Sequence, residues 1–214
     1  GFFPAAGLLV GGVAALAFAS SVLVLPKTLA VALAIGVAIV FTGAIHEDGW
    51  NDTVDGFGSS VDRAEILAIM RDSQVRAVGA AGLIALLVSR LLALVEVDQA
   101  LIPAALIAGH TVSRFCATAV FAKLDYVRAE GKAKPFARRV RDHELVLAAL
   151  PALIPLYFLP FWPVVFALVF AGGATWWLAR MFKRRIGGYT GDCLGATQQF
   201  AELAFYGGLL CRLS

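Results

Sequence analysis

The chain has 214 residues, of which 60% are hydrophobic and 15% are charged, and its formal net charge is +3. A soluble domain carries about 25% charged residues, so this composition excludes an ordinary soluble protein and indicates an integral membrane protein. The small net charge gives no reason to expect a nucleic-acid partner. Three widely separated cysteines, Cys116, Cys193 and Cys211, lie in or beside apolar sequence without metal-ligand spacing, which predicts buried or lipid-facing thiols.

Seven apolar segments approach the length of about 20 residues that a membrane-spanning helix requires. They predict an all-α, polytopic integral membrane protein with about seven transmembrane helices. A further amphipathic cytoplasmic helix is expected in "VDRAEILAIMRDS", whose apolar stripe would lie on the membrane surface or against the bundle. Because the sequence shows no internal repeat, residues 1–214 are expected to form a single transmembrane domain. The seven segments are residues 5–25, 28–45, 77–95, 100–121, 144–159, 161–181 and 193–211.

Three polar segments, residues 46–76, 122–143 and 182–192, separate pairs of these spans. With Arg180 at the edge of the last, they hold 14 of the 18 Lys and Arg residues, whereas the opposite loops hold only Lys27. Cytoplasmic loops carry the excess of Lys and Arg, so all three segments should face the cytoplasm from the inner membrane. Basic residues of the second segment are expected to attract anionic membrane lipids; these are Lys132, Lys134, Arg138, Arg139 and Arg141.

The segment "HEDGWNDTVDGFG", residues 46–58, places acidic residues directly against apolar sequence. On a helix, the i, i+4, i+7 spacing of Asp48, Asp52 and Asp55 puts three carboxylates on one stripe. Their mutual repulsion would be relieved by a divalent cation such as Mg²⁺, Mn²⁺ or Ca²⁺, and Mg²⁺ commonly leaves coordination positions for phosphate. The alternative is a solvated acidic loop.

Neighbouring residues complete this hypothesis. Asp72 follows the amphipathic stretch and is expected to fold back as a fourth metal ligand. His46 is either a capping or orienting residue or a general base. Glu47 points away from the stripe and is not a candidate, while Asp62 and Glu65 are more typical of a solvated surface.

Candidate anion-binding groups lie in the other polar regions. Arg114, in the span motif "GHTVSRF", is expected to face a polar cavity, since a buried charge in a span is costly. Arg90 is the competing case, with Glu96 and the outer membrane boundary as its expected surroundings. Tyr126 and Arg128 are the residues of the second segment nearest the membrane. In "RRIGGYTGDCLGA", a glycine-rich turn precedes a helix, whose N-terminal amides favour phosphate; the binding candidates there are Gly188, Thr190 and Asp192. Asp192 is either an N-cap or a further metal or hydroxyl contact.

Four ordered motifs, "HEDGWNDTVDGFG", "EILAIMRDS" with "GAAGL", "HTVSR" and "GGYTGDCLGA…E", resemble the cobalamin synthase family along most of the chain. The resemblance implies a Mg²⁺-dependent transferase that joins adenosylcobinamide-GDP to α-ribazole or its 5'-phosphate and releases GMP. It implies one or two Mg²⁺ ions, or Mn²⁺, on Asp48, Asp52, Asp55 and Asp72. The sequence departs from the family pattern at "GFGSSVD", at "VRAVG" and at Arg71, where Lys is usual, and the pattern implies further residues before "FFP".

Two other classes stay open at this level. "DTVDG" also resembles the start of the CDP-alcohol phosphotransferase signature, whose members act on lipid acceptors, although the later part of that signature is missing. A divalent-cation transporter is the non-enzyme alternative, but transporters place such acids near the bilayer midplane. A homo-oligomer is compatible with any of these hypotheses.

Overall fold

A computed structural model describes residues 3–72, 74–128 and 142–211, and these ranges are helical apart from short connections. The all-α prediction is confirmed, and each of the seven apolar segments forms a helix within a few residues of its predicted bounds. A single 3-10 turn, Gln99–Leu101, leads into the sixth helix. The helices are α1 (Phe3–Ser21), α2 (Lys27–Thr42), α3 (Ile45–Ser59), α4 (Arg63–Ile69), α5 (Ala77–Glu96), α6 (Ile102–Lys123), α7 (Asp142–Leu156), α8 (Phe161–Ile186) and α9 (Gly191–Leu209).

Four helical segments of the described ranges are long and apolar enough to cross a membrane: α1, α5, the 3-10 turn with α6, and α8. Helices α2 and α3 pass the same test only as a pair, and they meet at 91°. Helix α7, with 15 residues, is shorter than the roughly 20 residues of a full span. The protein is therefore a polytopic membrane protein, while the number of seven spans stays a prediction.

The sharp turn between α2 and α3 has a local cause. Gly43 and Ala44 both adopt left-handed backbone angles, with φ of 68° and 57°. Their N–H groups donate to the carbonyls of Val40 and Ile39, at 3.1 and 2.9 Å, which ends α2. Ala44 has a Cβ and adopts this conformation at a cost of about 1–2 kcal/mol. The turn sends the polar helix α3 away from the direction of α2.

Close helix packing forms the main core. Helix α1 lies against α6 so tightly that a Cβ on Gly7 would come within 2.6 Å of the carbonyl oxygen of His110. A second, smaller core lies near the polar segments, where Ile66 and Met70 of the α4 region pack with Phe182 and Tyr189. Of the two positions predicted for the amphipathic helix, the structure therefore shows the one against the bundle.

The three polar segments meet in space, as the loop charges predict. Arg128 donates to the carbonyl of Met70 at 3.1 Å, which joins the second segment to the first. The N–H of Tyr189 donates to the carbonyl of Asp125 at 2.9 Å, which joins the third segment to the second. Arg185 donates to the carbonyls of Phe57 and Ser60 and so holds the end of α3. These contacts gather the polar chemistry at one place in the fold.

Candidate active site

Helix α3 carries the acidic motif, and the predicted helical stripe of carboxylates is present. Asp48 is exposed, Asp52 is half-buried and Asp55 is 2% exposed. Because an α-helix rises about 1.5 Å per residue, Asp48 and Asp55 lie about 10 Å apart along its axis, whereas Asp48 and Asp52 lie about 6 Å apart. Asp48 and Asp52 can therefore serve one ligand, and Asp55 lies too far along the helix to share it with Asp48.

A crossing of two glycines brings α3 against the start of α9. A Cβ on Gly49 would lie 2.9 Å from the carbonyl oxygen of Asp192 and 3.3 Å from the Cα of Gly195. A Cβ on Gly195 would in turn lie 3.2 Å from the carbonyl oxygen of His46. Stacking of Trp50 on Phe200, with ring centroids 5.7 Å apart, supports the same crossing. The close approach places Asp192 beside the carboxylates on either side of Gly49.

The charges of these carboxylates act on one another. Burial, together with the negative charges of Asp48 and Asp192, raises the pKa of Asp52 to about 6. Burial also raises the pKa of Asp192, which Arg128 opposes and Asp48 reinforces. Asp48, Asp52 and Asp192 thus form one group of coupled carboxylates, which we call the carboxylate group.

Arg128 is the cation of this site. One of its Nη atoms donates to Asp192 at 2.7 Å and to the carbonyl of Met70 at 3.1 Å. Its Nε is buried and has no hydrogen-bond partner among the described residues. A buried, unpaired guanidinium N–H is costly unless a ligand occupies it. Within the described part of the chain, Arg128 therefore has a donor without an acceptor beside the carboxylate group.

The glycine-rich turn holds Arg128 and Asp192 together. Residues 125–127 run alongside Tyr189 as a short parallel bridge, and the rings of Tyr126 and Tyr189 lie 5.5 Å apart. Gly188 is required there, because a Cβ would lie 2.1 Å from the carbonyl oxygen of Asp125. Thr190, fully buried, is the N-cap of α9 and accepts the N–H of Cys193 at 3.3 Å. The N-cap alternative for Asp192 is thus wrong: Asp192 lies within the first turn of α9.

Two of the predicted metal ligands have other partners in the structure. Both carboxylate oxygens of Asp55 accept backbone N–H groups at the start of α5, from Arg76 at 3.0 Å and from Gly79 at 2.7 Å. Asp72 pairs with the side chain of Arg76 at 3.0 Å. Asp55 therefore caps α5, a helix that begins about 20 residues further along the chain. The metal roles of Asp55 and Asp72 stay predictions.

His46 and Arg114 lie deeper than the carboxylate group. The half-buried ring of His46 packs edge-on against Phe3, with centroids 6.1 Å apart. Burial, together with the positive charge of Arg114, lowers the pKa of His46 to about 4. Arg114 is 2% exposed and donates to the carbonyl of His110 at 2.9 Å. The phosphate contact predicted for Arg114 stays a prediction.

The surroundings predicted for Arg90 are wrong. Arg90 is 2% exposed, donates to the side chain of Gln199 and lies 3.8 Å from a carboxylate oxygen of Glu202. Glu96 and the outer boundary are not its partners in the described structure. Glu47, correctly predicted to point away from the stripe, accepts the amide of Gln199 at 2.8 Å. The signal in the sequence was the polar run "TQQFAE" inside an otherwise apolar α9.

The donor set of the carboxylate group suits Mg²⁺ in one particular way. Within the described residues, no three His, Cys, Asp or Glu side chains are already arranged around a metal position. Mg²⁺ is usually bound by one or two carboxylates together with substrate phosphates and water, rather than by a complete protein cage. Asp48 and Asp52 supply such a partial set. The basic residues 132–141 of the second polar segment lie outside the described residues.

The chain is similar to known proteins along its whole length. The model of the cobalamin-5-phosphate synthase family matches residues 1–210. Among proteins named adenosylcobinamide-GDP ribazoletransferase, that of Ralstonia pickettii is 42% identical over 100% of this chain and 84% of its own length. Those of Polaromonas sp. and Shewanella woodyi are 37% and 38% identical, over 100% and 96% of this chain and 85% and 82% of their own lengths. No solved structure matches the chain.

Proposed function

The chain belongs to the cobalamin-5-phosphate synthase family, and from that premise we propose that it is a transferase that joins adenosylcobinamide-GDP to α-ribazole in cobalamin biosynthesis. The acceptor is α-ribazole or its 5'-phosphate, and the products are adenosylcobalamin, or its 5'-phosphate, and GMP. The names of the relatives support the reaction class. The observation that carries the assignment to a site is the carboxylate group beside Arg128, whose buried Nε lacks a partner in the described structure.

In the proposed reaction a ribose hydroxyl of α-ribazole attacks the phosphorus that carries the cobinamide. A new phosphorus–oxygen bond forms, the bond to the bridging oxygen of the pyrophosphate breaks, and GMP leaves with that oxygen. Transfer of this kind depends on positioning and on neutralising charge on the phosphoryl oxygens. Arg128 suits this task because its planar guanidinium can donate to phosphate while its Nη remains on Asp192.

Asp48 and Asp52, with Asp192 across the helix crossing, would hold one or two Mg²⁺ ions, or Mn²⁺, against the pyrophosphate. The ion would supply Lewis-acid neutralisation of the phosphoryl oxygens. The proton of the attacking hydroxyl passes to a group of the protein. A carboxylate oxygen of this group that does not bind metal, or the ring of His46, would accept that proton.

We further propose that the chain lies in the inner membrane with this site facing the cytoplasm. The concentration of Lys and Arg in the three polar segments supports that orientation. The hydrogen bonds that join those segments support it as well, because they bring the residues of the candidate site to one side of the fold. The hydrophilic substrates would then reach it without entering the bilayer core.

The activity is tested with purified protein in detergent, adenosylcobinamide-GDP, α-ribazole 5'-phosphate and Mg²⁺. We expect GMP and adenosylcobalamin 5'-phosphate in equal amounts, with neither product when one substrate or Mg²⁺ is left out. Release of CMP from a CDP-alcohol with a lipid acceptor, without GMP release, would contradict the proposal. So would metal uptake into liposomes by protein that shows no transferase activity.

A further inference from the structure

A second set of polar and charged side chains, distinct from the carboxylate group, lies buried among apolar helices. Burying charge in a membrane protein is costly, and such residues pair with one another. Two arginines and two glutamates balance in charge here when histidine is neutral. We call this set the buried network; its members are Glu47, Arg90, His110, Arg114, Gln199, Glu202 and Tyr206, each at most 6% exposed.

The contacts of the network run in sequence from α3 into the bundle. A carboxylate oxygen of Glu47 accepts a hydrogen bond from Nε2 of Gln199 at 2.8 Å. Oε1 of Gln199 in turn accepts a hydrogen bond from an Nη of Arg90. Arg90 Nε lies 3.8 Å from Glu202. The second oxygen of Glu202 lies 3.1 Å from His110 Nδ1, and its first oxygen accepts the hydroxyl of Tyr206 at 3.1 Å. Glu47 thereby joins α3 to α5, α6 and α9.

The amide of Gln199 has a single workable orientation. Arg90 can only donate hydrogen bonds and an ionised Glu47 can only accept them. The amide oxygen of Gln199 must therefore face Arg90 and its N–H₂ must face Glu47. The hydrogen bonds of this Glu47–Gln199 bridge therefore run in one direction, from Arg90 to Gln199 and from Gln199 to Glu47. Exchanging glutamate and glutamine between positions 47 and 199 should reverse the bond between them.

The bridge lies on the face of α9 that also meets the active site. Asp192, Gly195 and Gln199 follow one another at three- and four-residue spacing, so they lie along one side of α9. On α3, Glu47 is the neighbour of Asp48, and a residue step rotates a side chain by about 100° around the helix axis. The Glu47–Gln199 contact therefore fixes the rotation of α3 about its axis, and with it the direction in which the neighbouring Asp48 side chain projects.

We propose that Glu47 and Gln199 are positioning residues, which hold α3 in the rotation that brings Asp48 and Asp52 to Asp192. This inference rests on the function proposed above. It explains why α3 carries a hydrogen-bond acceptor that faces away from the site. It also assigns a task to a buried polar side chain that a tightly packed apolar side chain could otherwise replace.

An exchange of the two side chains tests the proposal. Gln199→Glu alone sets two carboxylates against each other and removes the donor to Glu47. The double variant Glu47→Gln/Gln199→Glu restores the bridge in reverse, because the carboxylate at position 199 accepts from Arg90 and from the amide at position 47. Glu47→Gln alone keeps an oxygen that accepts from Gln199. Gln99→Glu, in the exposed 3-10 turn, is the matched control.

Two readouts are compared across these variants: GMP release as a function of Mg²⁺ concentration, and hydrogen–deuterium exchange of the α3 amides, residues 46–59. For Gln199→Glu we expect turnover to fall about 100-fold, the Mg²⁺ concentration for half-maximal rate to rise, and α3 exchange to quicken. The double variant should recover each of these to within about tenfold of the wild type, as should Glu47→Gln. Gln99→Glu should match the wild type.

Wild-type Mg²⁺ dependence and exchange in Gln199→Glu would overturn the proposal, and so would a folded double variant that recovers neither. If Gln199→Glu does not fold, the double variant and Glu47→Gln decide the question by themselves. Hydrogen exchange needs neither metal nor substrate. A failure of the transferase assay in the wild type would therefore count against the proposed function, while the exchange pattern would still support or contradict the positioning of α3.

Discussion

Replacing Gly49 by alanine is expected to displace the carboxylates and lower turnover, with only a small effect on the stability of the fold. The new Cβ would lie 2.9 Å from the carbonyl oxygen of Asp192 and 3.2 Å from its Cα. The first distance is roughly half an ångström shorter than a normal carbon–oxygen contact. Both neighbours are backbone atoms, so they cannot rotate away, and α3 must move from α9 by about that amount.

The expected magnitudes follow from this displacement. Overpacking costs about 1–3 kcal/mol and alanine gains about 1 kcal/mol of helix propensity, so unfolding should become easier by about 0–2 kcal/mol. A misplacement of about 1 Å costs about 100-fold in rate, so half of that should lower turnover about tenfold. The same shift weakens the shared hold of Asp48 and Asp192 on a cation, and more Mg²⁺ should be needed for half-maximal rate.

The assay is GMP release by Gly49→Ala as Mg²⁺ is titrated, alongside thermal unfolding in detergent. Gly36→Ala is the matched control, because a Cβ on this glycine of α2 meets nothing within 4 Å. The control should keep wild-type turnover. Wild-type turnover and Mg²⁺ dependence in Gly49→Ala would refute the reasoning, since the carboxylates would then tolerate a shifted crossing.

Three further predictions concern individual residues. In metal-free protein, Asp52→Asn should raise the unfolding temperature at pH 7, because the folded state raises the Asp52 pKa from the ordinary 3.8 to about 6 and so disfavours its charged form. This gain in unfolding temperature should shrink as the pH falls from 6 to 4. A gain that stays constant with pH would contradict the proposed cause. Asp55→Asn should destabilise the fold by about 1–3 kcal/mol in thermal unfolding, because one N–H at the start of α5 loses its acceptor. Full stability with lost turnover would instead identify Asp55 as a metal ligand. Arg128→Lys should lower turnover about 100-fold in the GMP assay, because the single nitrogen of a lysine cannot reach both Asp192 and a phosphate as the separate Nη and Nε of Arg128 can; an unchanged rate would exclude a phosphate contact by Nε.

Local sequence patterns predicted the helices and the stripe on α3 well. Apolar length located α1, α5, α6 and α8, and the four-residue spacing placed Asp48 and Asp52 on one face. The loop charges also predicted that the polar segments gather together. These features depend on residues close to one another in the chain, which is why a single sequence contains them.

Long-range partners could not be obtained in the same way. Arg90 contacts Gln199, 109 residues away, and nothing around Arg90 distinguishes this partner from the nearby Glu96. Asp55 shares its stripe with the other carboxylates, yet the packing of α5 on α3 turns it into a helix cap. The sequence offers Asp192 as a further metal contact, but its position beside Asp48 and Asp52 depends on the crossing of Gly49 and Gly195.

The central claim is that the α3 carboxylates at the crossing with α9 perform the transfer, and one comparison tests it most directly. GMP release from adenosylcobinamide-GDP and α-ribazole 5'-phosphate is measured for Asp52→Asn and for Asp98→Asn. Asp98 lies at the other end of α5 and accepts the N–H of Ala100, which asparagine can also do. We predict a loss of about 100-fold or more for Asp52→Asn in a folded protein, with Asp98→Asn unchanged. A wild-type rate in Asp52→Asn would contradict the account.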